Sequence, residues 1–448
     1  MTDGVEAVAN DRTGASQKRR SVGQLRSLIW CFLILLIFEG ALRKWILPSL
    51  ATPILLIRDP LVLVIYILAI RAKLFPSGIG IWCTFGLFVV FCIIAVLQLA
   101  TRDLPVAVVI FGLRTYFLMV PLIFLMPKIL EPNDIRAMGC FCLWLSVPMA
   151  LLMYLQYLSP PDGFLNTATA NDVTQIAFEG GHVRPAGTFS FATGPAAFYS
   201  MTAAFACGLL NDKARYIRLA AWCGLFSTAA IMPVSGSRLT ICMVGIVLIF
   251  GIGTMFFHKT TRKVAFAIVI MGGIGFAGLS QLPVFKMAAT SMKARVDSAA
   301  DTEGGTGGFF KRALIAFKVM PAYTEDSRWI LGSGIGLGTS VGAALLTGAR
   351  QFLLSEGEWG RIYEEAGWLG GLLYILGRTS LIVFIGFYSL RQLKMGESLS
   401  ILLFLANLWM LFQGQIGQAT NLGFTIFLAG LALCPVQSSN LVIESDYA

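Results

Sequence analysis

The feature that most restricts this chain is a series of apolar runs, each long enough to cross a bilayer. They fall near residues 27–47, 55–70, 79–99, 105–126, 136–158, 189–210, 217–234, 239–257, 264–283, 367–388, 398–416 and 420–437. An α-helix needs about 20 largely apolar residues to span a hydrocarbon core. The chain is therefore expected to be an all-α polytopic membrane protein with about twelve transmembrane helices. Composition agrees. Over 448 residues, 56% are hydrophobic, 13% are charged and the mean hydropathy is +0.76, more apolar surface than a soluble core of this size buries.

Basic residues set the expected orientation. If residues 1–26 form a cytoplasmic basic tail, then Arg71/Lys73, Lys128/Arg136, Lys213/Arg215/Arg218, Lys259/Arg262/Lys263 and Arg391/Lys394 all fall on the cytoplasmic side. The carboxyl-terminal tail, 438–448, falls there too, and 27–437 forms one membrane-embedded domain. No small-residue cleavage site follows the first run, so it reads as a retained helix and not a signal peptide. The net charge is +10, but 17 of the 34 Lys and Arg are accounted for by this orientation, so no nucleic-acid partner is implied. All nine cysteines lie in apolar runs, which makes a disulfide framework unexpected.

The same orientation sends the two long connections, 159–188 and 284–366, to the extracytoplasmic side. Long loops are usually functional or disordered, so these form the expected working surface. In the larger loop, Val284, Met287, Ala288, Met292 and Val296 recur at helical spacing, as do Phe310, Ala313, Leu314 and Phe317. Two short amphipathic interfacial helices fit this pattern. Asp301–Gly308 (DTEGGTGG) is a flexible hinge by composition, and Gly332–Gly338 (GSGIGLG) is expected to be a second flexible stretch. With no preceding strand and no following lysine, the latter is poor evidence for a nucleotide site.

The chemistry is expected around Ser355–Gly371, SEGEWGRIYEEAGWLGG, which places Glu356, Glu358, Arg361, Glu364 and Glu365 just before an apolar run. Charge kept at the edge of a bilayer usually has a use. Ser355 and Glu358 match an S-x-x-E capping box. Glu358, Arg361 and Glu365 share one helical stripe and can form a charge ladder. Glu356 lies off that stripe and is left for chemistry. Phe352, Trp359, Tyr363 and Trp368 read as an interfacial aromatic belt, with stacking on sugar faces as the alternative.

The first outward loop brings His182 and Arg184 to the start of the sixth run in GGHVRPAGTFS. Arg184 suits an anion clamp, because guanidinium binds phosphate bidentately, and a snorkelling arginine is the alternative. His182 is open between a role and none. Ser237 reads as a cap and Arg238 opposes the helix dipole there, which favours an anionic ligand nearby. Within the runs, Glu39 and Arg43 are spaced to neutralise each other and Arg58 and Asp59 lie near a helix end. Arg114 has no local acid and is expected to line a polar cavity. No cluster has metal-ligand spacing and no serine-hydrolase or zinc-protease motif is present, so neither a metal nor a cofactor is expected.

Taken together, the R-x-x-G-T-F segment (Arg184 to Phe189), the G-S-R turn (Ser237, Arg238) and the E-x-G-x-x-G motif after a long outward loop (Glu365, Gly367, Gly370) resemble the O-antigen ligase and O-antigen polymerase superfamily. The FEGALRKW and FGLRTYF segments resemble its exopolysaccharide-polymerase-like members. That resemblance implies a multi-pass glycosyltransferase of the bacterial inner membrane. Its donor would be a polyprenyl-diphosphate-linked glycan used at the extracytoplasmic face, with a glycan acceptor and no nucleotide sugar or metal. Membrane lipids, a flippase and chain-length or export proteins are the implied partners. Ligase-type members carry a His-Asn pair nine residues before the motif glutamate, whereas here Glu356 and Gly357 stand there, which favours polymerisation over ligation to lipid A-core.

On that reading Arg184, Arg238 and Arg361 clamp the diphosphate, with Arg114 holding a diphosphate or an internal carboxylate deeper in the bundle. Glu356, or failing it Glu358, accepts the proton of the acceptor hydroxyl, and displacement inverts the anomeric carbon. Ligase-type transfer to another acceptor, a transporter or flippase, and a non-enzymatic assembly factor of a polysaccharide export complex are the competing readings.

Overall fold

The computed structural model describes residues 2–168, 183–257, 262–281, 283, 285–287, 290, 328–348, 353–355 and 357–435. Its described part is helical throughout, with no β-strand among the described residues. A helix occupies every apolar run. These are α1 (Thr2–Ala41), α2 (Ala51–Ile54), α3 (Arg58–Arg71), α4 (Ile79–Thr101), α5 (Val106–Phe117), α6 (Val120–Ile129), α7 (Pro132–Leu158) and α8 (Thr193–Leu209). They continue with α9 (Arg215–Val234), α10 (Arg238–Phe257), α11 (Arg262–Leu279), the short α12 (Arg328–Leu331) and α13 (Ser340–Thr347), then α14 (Glu358–Lys394), α15 (Leu399–Gln413) and α16 (Ala419–Leu433). Seven helical spans among the described residues are long and apolar enough to cross a membrane, including α4, α7, α9, α14 and the one that α5 and α6 make together.

The helices differ from the apolar runs at their ends, for local reasons. The first begins at Thr2, inside the polar tail, where no proline interrupts it. The fourth run is two helices meeting at Leu118 and Met119. Pro121 opens the second, and its ring would clash with the Phe117 carbonyl in a continuous helix. The tenth run starts nine residues earlier than the apolar pattern, at Glu358, and bends sharply at Gly367. The amphipathic segments expected at 284–296 and 310–318, and the hinge at 301–308, lie largely or wholly outside the described residues.

The centre of the bundle is α8. Every residue from Gly194 to Cys207 is buried, and the helix packs against α7, α9, α10, α15 and α16. Its small residues (Ala196, Ala197, Ala203, Ala204, Ala206) let neighbouring backbones approach closely, as helix packing in lipid requires. Hydroxyl groups add polar ties. Ser200 Oγ donates to the Ala406 carbonyl at 3.0 Å and Tyr199 OH to that of Ser146 at 2.9 Å. In contrast α4 turns Ile79, Trp82, Phe85, Ile93 and Val96 outward, the surface of a helix solvated by lipid.

Candidate functional site

Three polar assemblies meet at the end of the bundle where α8 begins. The first is the Arg184–Phe189 segment, which is clamped rather than loose. Gln156 Nε2 donates to the Gly187 carbonyl at 3.1 Å, and its Oε1 accepts from Gly187 N at 2.7 Å. Lys44 Nζ donates to the same carbonyl at 3.0 Å, Thr188 Oγ1 to the Ile37 carbonyl at 2.6 Å, and Arg43 Nη1 to Ser190 Oγ at 2.9 Å. The FEGALRKW stretch thus serves to hold this segment. Pro185, Ala186, Gly187, Thr188 and Phe189 are buried and Arg184 is half-buried beside them. His182 lies outside the described residues.

Glu39 departs from the expected local pairing. Arg43 stands 4.0 Å away, while Arg58 Nε approaches the Glu39 carboxylate to 2.7 Å. Arg58 Nη2 also donates to the Ala419 carbonyl at 2.8 Å, tying α1 and α3 to the start of α16. Arg114 likewise has an acid after all, supplied by tertiary contact: its Nε donates to Asp59 Oδ2 at 2.6 Å and Nη2 donates to Oδ1. Of the two ligands left open for Arg114, the structure supplies the internal carboxylate.

The second assembly is the turn between α15 and α16, 414–418, which no sequence motif singles out. Gln418 Nε2 donates to Gln415 Oε1 at 2.6 Å, and Asn421 Nδ2 donates to Gln418 Oε1 at 3.1 Å. Thr193 Oγ1, in the first turn of α8, reaches the same Gln418 oxygen at 3.4 Å. This turn joins the Arg184 segment to the third assembly, because Ile416 N donates to Glu358 Oε1 at 3.4 Å.

That third assembly is the beginning of α14, and its fold is the main difference from the sequence-based picture. In a straight helix Glu358 and Arg378 would be about 30 Å apart. Instead Arg378 Nη1 donates to Glu358 Oε1 at 2.8 Å. The chain reverses at Gly367 (φ 72°, ψ −178°), so Glu358–Ala366 folds back against the following helix. A Cβ at Gly367 would lie 2.1 Å from the Ile330 carbonyl oxygen, and one at Gly332 (φ 77°) would lie 2.3 Å from that of Glu365. Both turns need a left-handed backbone and the absence of a side chain, which only glycine provides without strain. The Gly332–Gly338 stretch is thereby a packed strap and not a flexible connector. Gln98 of α4 holds it, donating to the Leu331 and Glu365 carbonyls at 2.5 and 2.7 Å and accepting from Ile335 N at 2.8 Å.

The folded-back helix directs its charge ladder inward. Arg361 Nη2 and Nε donate to Glu358 at 3.0 and 3.1 Å, and Nη1 donates to Glu365 Oε1 at 2.9 Å. Tyr116 OH donates to Glu365 Oε2 at 2.7 Å, and Gly338 N donates to Glu365 Oε1 at 2.8 Å. Glu358, Arg361 and Glu365 are all buried. Two carboxylates meet two guanidiniums, so the cluster is neutral, the form in which buried charge is tolerated. The capping box is not made: Gly357 is the N-cap, Ser355 Oγ accepts from Gly357 N at 3.3 Å, and the Glu358 carboxylate is committed to the arginines. Trp359 is buried against Phe412 with ring centroids 5.4 Å apart, which removes it from an interfacial belt, while Trp368 is exposed. Glu356 and Phe352 lie outside the described residues.

Ser237 caps α10 as its residue type predicts, accepting from Thr240 N at 3.4 Å. Arg238 follows half-buried, at the end of α10 to which α9 returns beside α8. Of the predicted residues, then, the structure brings Glu358 and Arg361 into one cluster, fixes Arg184 on a segment connected to it, and places Arg114 with Asp59. Arg378, Tyr116, Gln98 and Gln418 were missed. Arg378 and Gln98 carried a signal, being polar groups inside apolar runs, and Tyr116 lay within the FGLRTYF segment, whereas Gln418 carried none. No protein-family model matches this chain and no curated protein matches it.

Proposed function

We propose that the chain is a membrane glycosyltransferase that polymerises polyprenyl-diphosphate-linked oligosaccharide repeat units into a surface or extracellular polysaccharide. In this reading about twelve helices cross the bacterial inner membrane, both termini are cytoplasmic, and the end bearing the three assemblies faces outward. One observation carries it. The first turn of α8, which the Arg184 segment leads into, and the folded-back Glu358 helix, far apart in sequence, both bond to the 414–418 turn, so an arginine-bearing segment and a segment rich in acids converge on one turn at one end of the bundle.

Arg184 and Arg238 stabilise the diphosphate as it departs, a job that guanidinium forks perform without a metal. Glu358 binds both Arg361 and Arg378, so Glu358 and Arg361 support the site as a rigid floor, and the base falls to Glu356. The acceptor hydroxyl oxygen bonds to the anomeric carbon while the bond from that carbon to the diphosphate breaks. The diphosphate leaves with the electron pair, Glu356 takes the hydroxyl proton, and the anomeric configuration inverts. A positioned base of this kind is worth about 10²–10⁴-fold.

The test uses purified protein in liposomes with a lipid-linked repeat unit. New glycosidic bonds are expected from the parent protein, with at least a roughly 100-fold loss in Arg184→Ala, Arg238→Ala and Glu356→Gln. Movement of the lipid-linked glycan across the bilayer without bond formation would make the protein a transporter, and neither outcome would leave the assembly role. Near-normal polymer from Glu356→Gln would remove that residue from the mechanism.

A further inference from the structure

The molecule carries a second feature that the proposed chemistry does not use. A groove of about 520 Å³ runs between the first turns of α7 and the turn joining α8 to α9. Its chemistry is graded along its length. At the α7 start it is lined by Asn133, Arg136 and Asp212, with Arg136 Nη2 donating to Asp212. Farther along are Phe141 and Trp144, and Trp144 lies eight residues beyond Arg136, about 12 Å along the helix. Trp144 and Tyr216 are exposed, at 44% and 63%, on α7 and α9, both of which are apolar enough to cross a membrane. With α7 and α9 spanning a bilayer, the exposed Trp144 end of the groove would face hydrocarbon.

The polar half is electropositive. Lys213 and Arg215 are exposed and neighbour the lining residues Asp212, Ala214 and Tyr216 along the chain, and the Arg136 side chain is 41% exposed despite its pairing with Asp212. Arg218 is turned inward, donating to the Asp212 and Lys213 carbonyls at 2.8 and 2.9 Å, so it shapes the turn. Arg26 lies between Glu131 and Asp134 at the neighbouring start of α7. Even with these counted, five cations (Arg26, Arg136, Lys213, Arg215, Arg218) face three carboxylates (Glu131, Asp134, Asp212). An excess of positive charge remains at the level of the α7 start.

We propose that this groove binds one anionic glycerophospholipid of the surrounding leaflet, its phosphate on Arg136, Lys213 and Arg215 and one acyl chain along Phe141 and Trp144. The combination argues for a lipid and against a soluble anion, which would satisfy the cations and leave the aromatic half unfilled. Juxtamembrane basic residues attract anionic headgroups, while the aromatic side chains farther along α7 offer apolar surface to an acyl chain. The inference requires only that α7 and α9 lie in a bilayer and is independent of the glycosyltransferase reading.

Native mass spectrometry of the purified full-length protein, titrated with phosphatidylglycerol or phosphatidylcholine, tests it. Phosphatidylglycerol is expected to be retained on the order of 10-fold more strongly. The surface variant Lys213→Gln/Arg215→Gln should lose this preference, and Trp144→Ala should weaken retention of both lipids. The control Arg71→Gln/Lys73→Gln removes two other exposed basic residues and should keep the preference. Equal retention of the two lipids by the parent protein, an equal effect of the control pair, or unchanged retention in Trp144→Ala would each overturn the proposal.

Discussion

Arg378 makes four contacts from one side chain. Its guanidinium meets the Glu358 carboxylate and the carbonyls of Leu411, Met410 and Gly414, at 2.5 to 2.9 Å. Leu411 lies in the last turn of α15, the Met410 carbonyl also accepts from Gly414 N at 3.0 Å, and Gly414 follows the helix, so a single arginine both ties down the end of α15 and anchors the folded-back segment of α14. Removing one member of a buried ion pair costs about 3–5 kcal/mol. Arg378→Met is therefore expected to lower thermal stability in detergent by an amount in that range. Arg378→Lys should recover little of it, because an ammonium cannot span these acceptors as a planar fork does. Gly367 offers an equally sharp test. To the overlap with the Ile330 carbonyl, Gly367→Ala adds a backbone penalty of about 1–3 kcal/mol, because φ 72° with ψ −178° is a conformation essentially restricted to glycine. Gly245→Ala is the contrast, with nothing within 4 Å of the added methyl, and at a helical position it should be neutral or stabilising by up to about 1 kcal/mol. Equal melting temperatures for the two alanine variants would contradict the reversal at residue 367.

Among the helices, α14 is the one whose shape matters most, since its first nine residues turn back along its own body. The E-x-G-x-x-G motif acquires a physical meaning from this. Glu365 locks the inner face, Gly367 makes the reversal, and Gly370 admits Ile94 of α4, whose Cδ1 would stand 2.6 Å from an added Cβ. A Cβ at Gly371 would lie 3.2 Å from the Tyr363 Cα. Tyr363→Cys/Gly371→Cys, in a background lacking the other cysteines, is thus expected to form a disulfide under mild oxidation, detected by peptide mass spectrometry. In an unbroken helix the two positions would be about 12 Å apart and would stay reduced. The charge ladder within this element was legible in the sequence, because spacings of three and four residues fix neighbours on any helix. Its burial was not, since nothing in residues 358–365 states which way the helix points. The aromatic belt failed at Trp359 for the same reason.

For the molecule as a whole, the expected orientation sets the groove and the three assemblies at opposite ends. Phe164, 69% exposed in the connection after α7, and the exposed Lys213 mark those ends. With a membrane-impermeant maleimide on intact cells, Phe164→Cys should be labelled at once and Lys213→Cys only after permeabilisation. The reverse pattern would invert the topology and with it the proposed extracytoplasmic chemistry. By itself the sequence determined that the chain is a bundle of apolar helices, where those helices lie, and which side chains share a stripe, because hydrophobic runs and helical periodicity are local properties. Tertiary structure alone decided that Glu39 pairs with Arg58, that Asp59 pairs with Arg114, and that Glu358 meets an arginine twenty residues on. A charge placed in an apolar interior must find its opposite wherever the fold brings one. That partner is set by how helices pack and where glycines let the chain reverse, which no local pattern records.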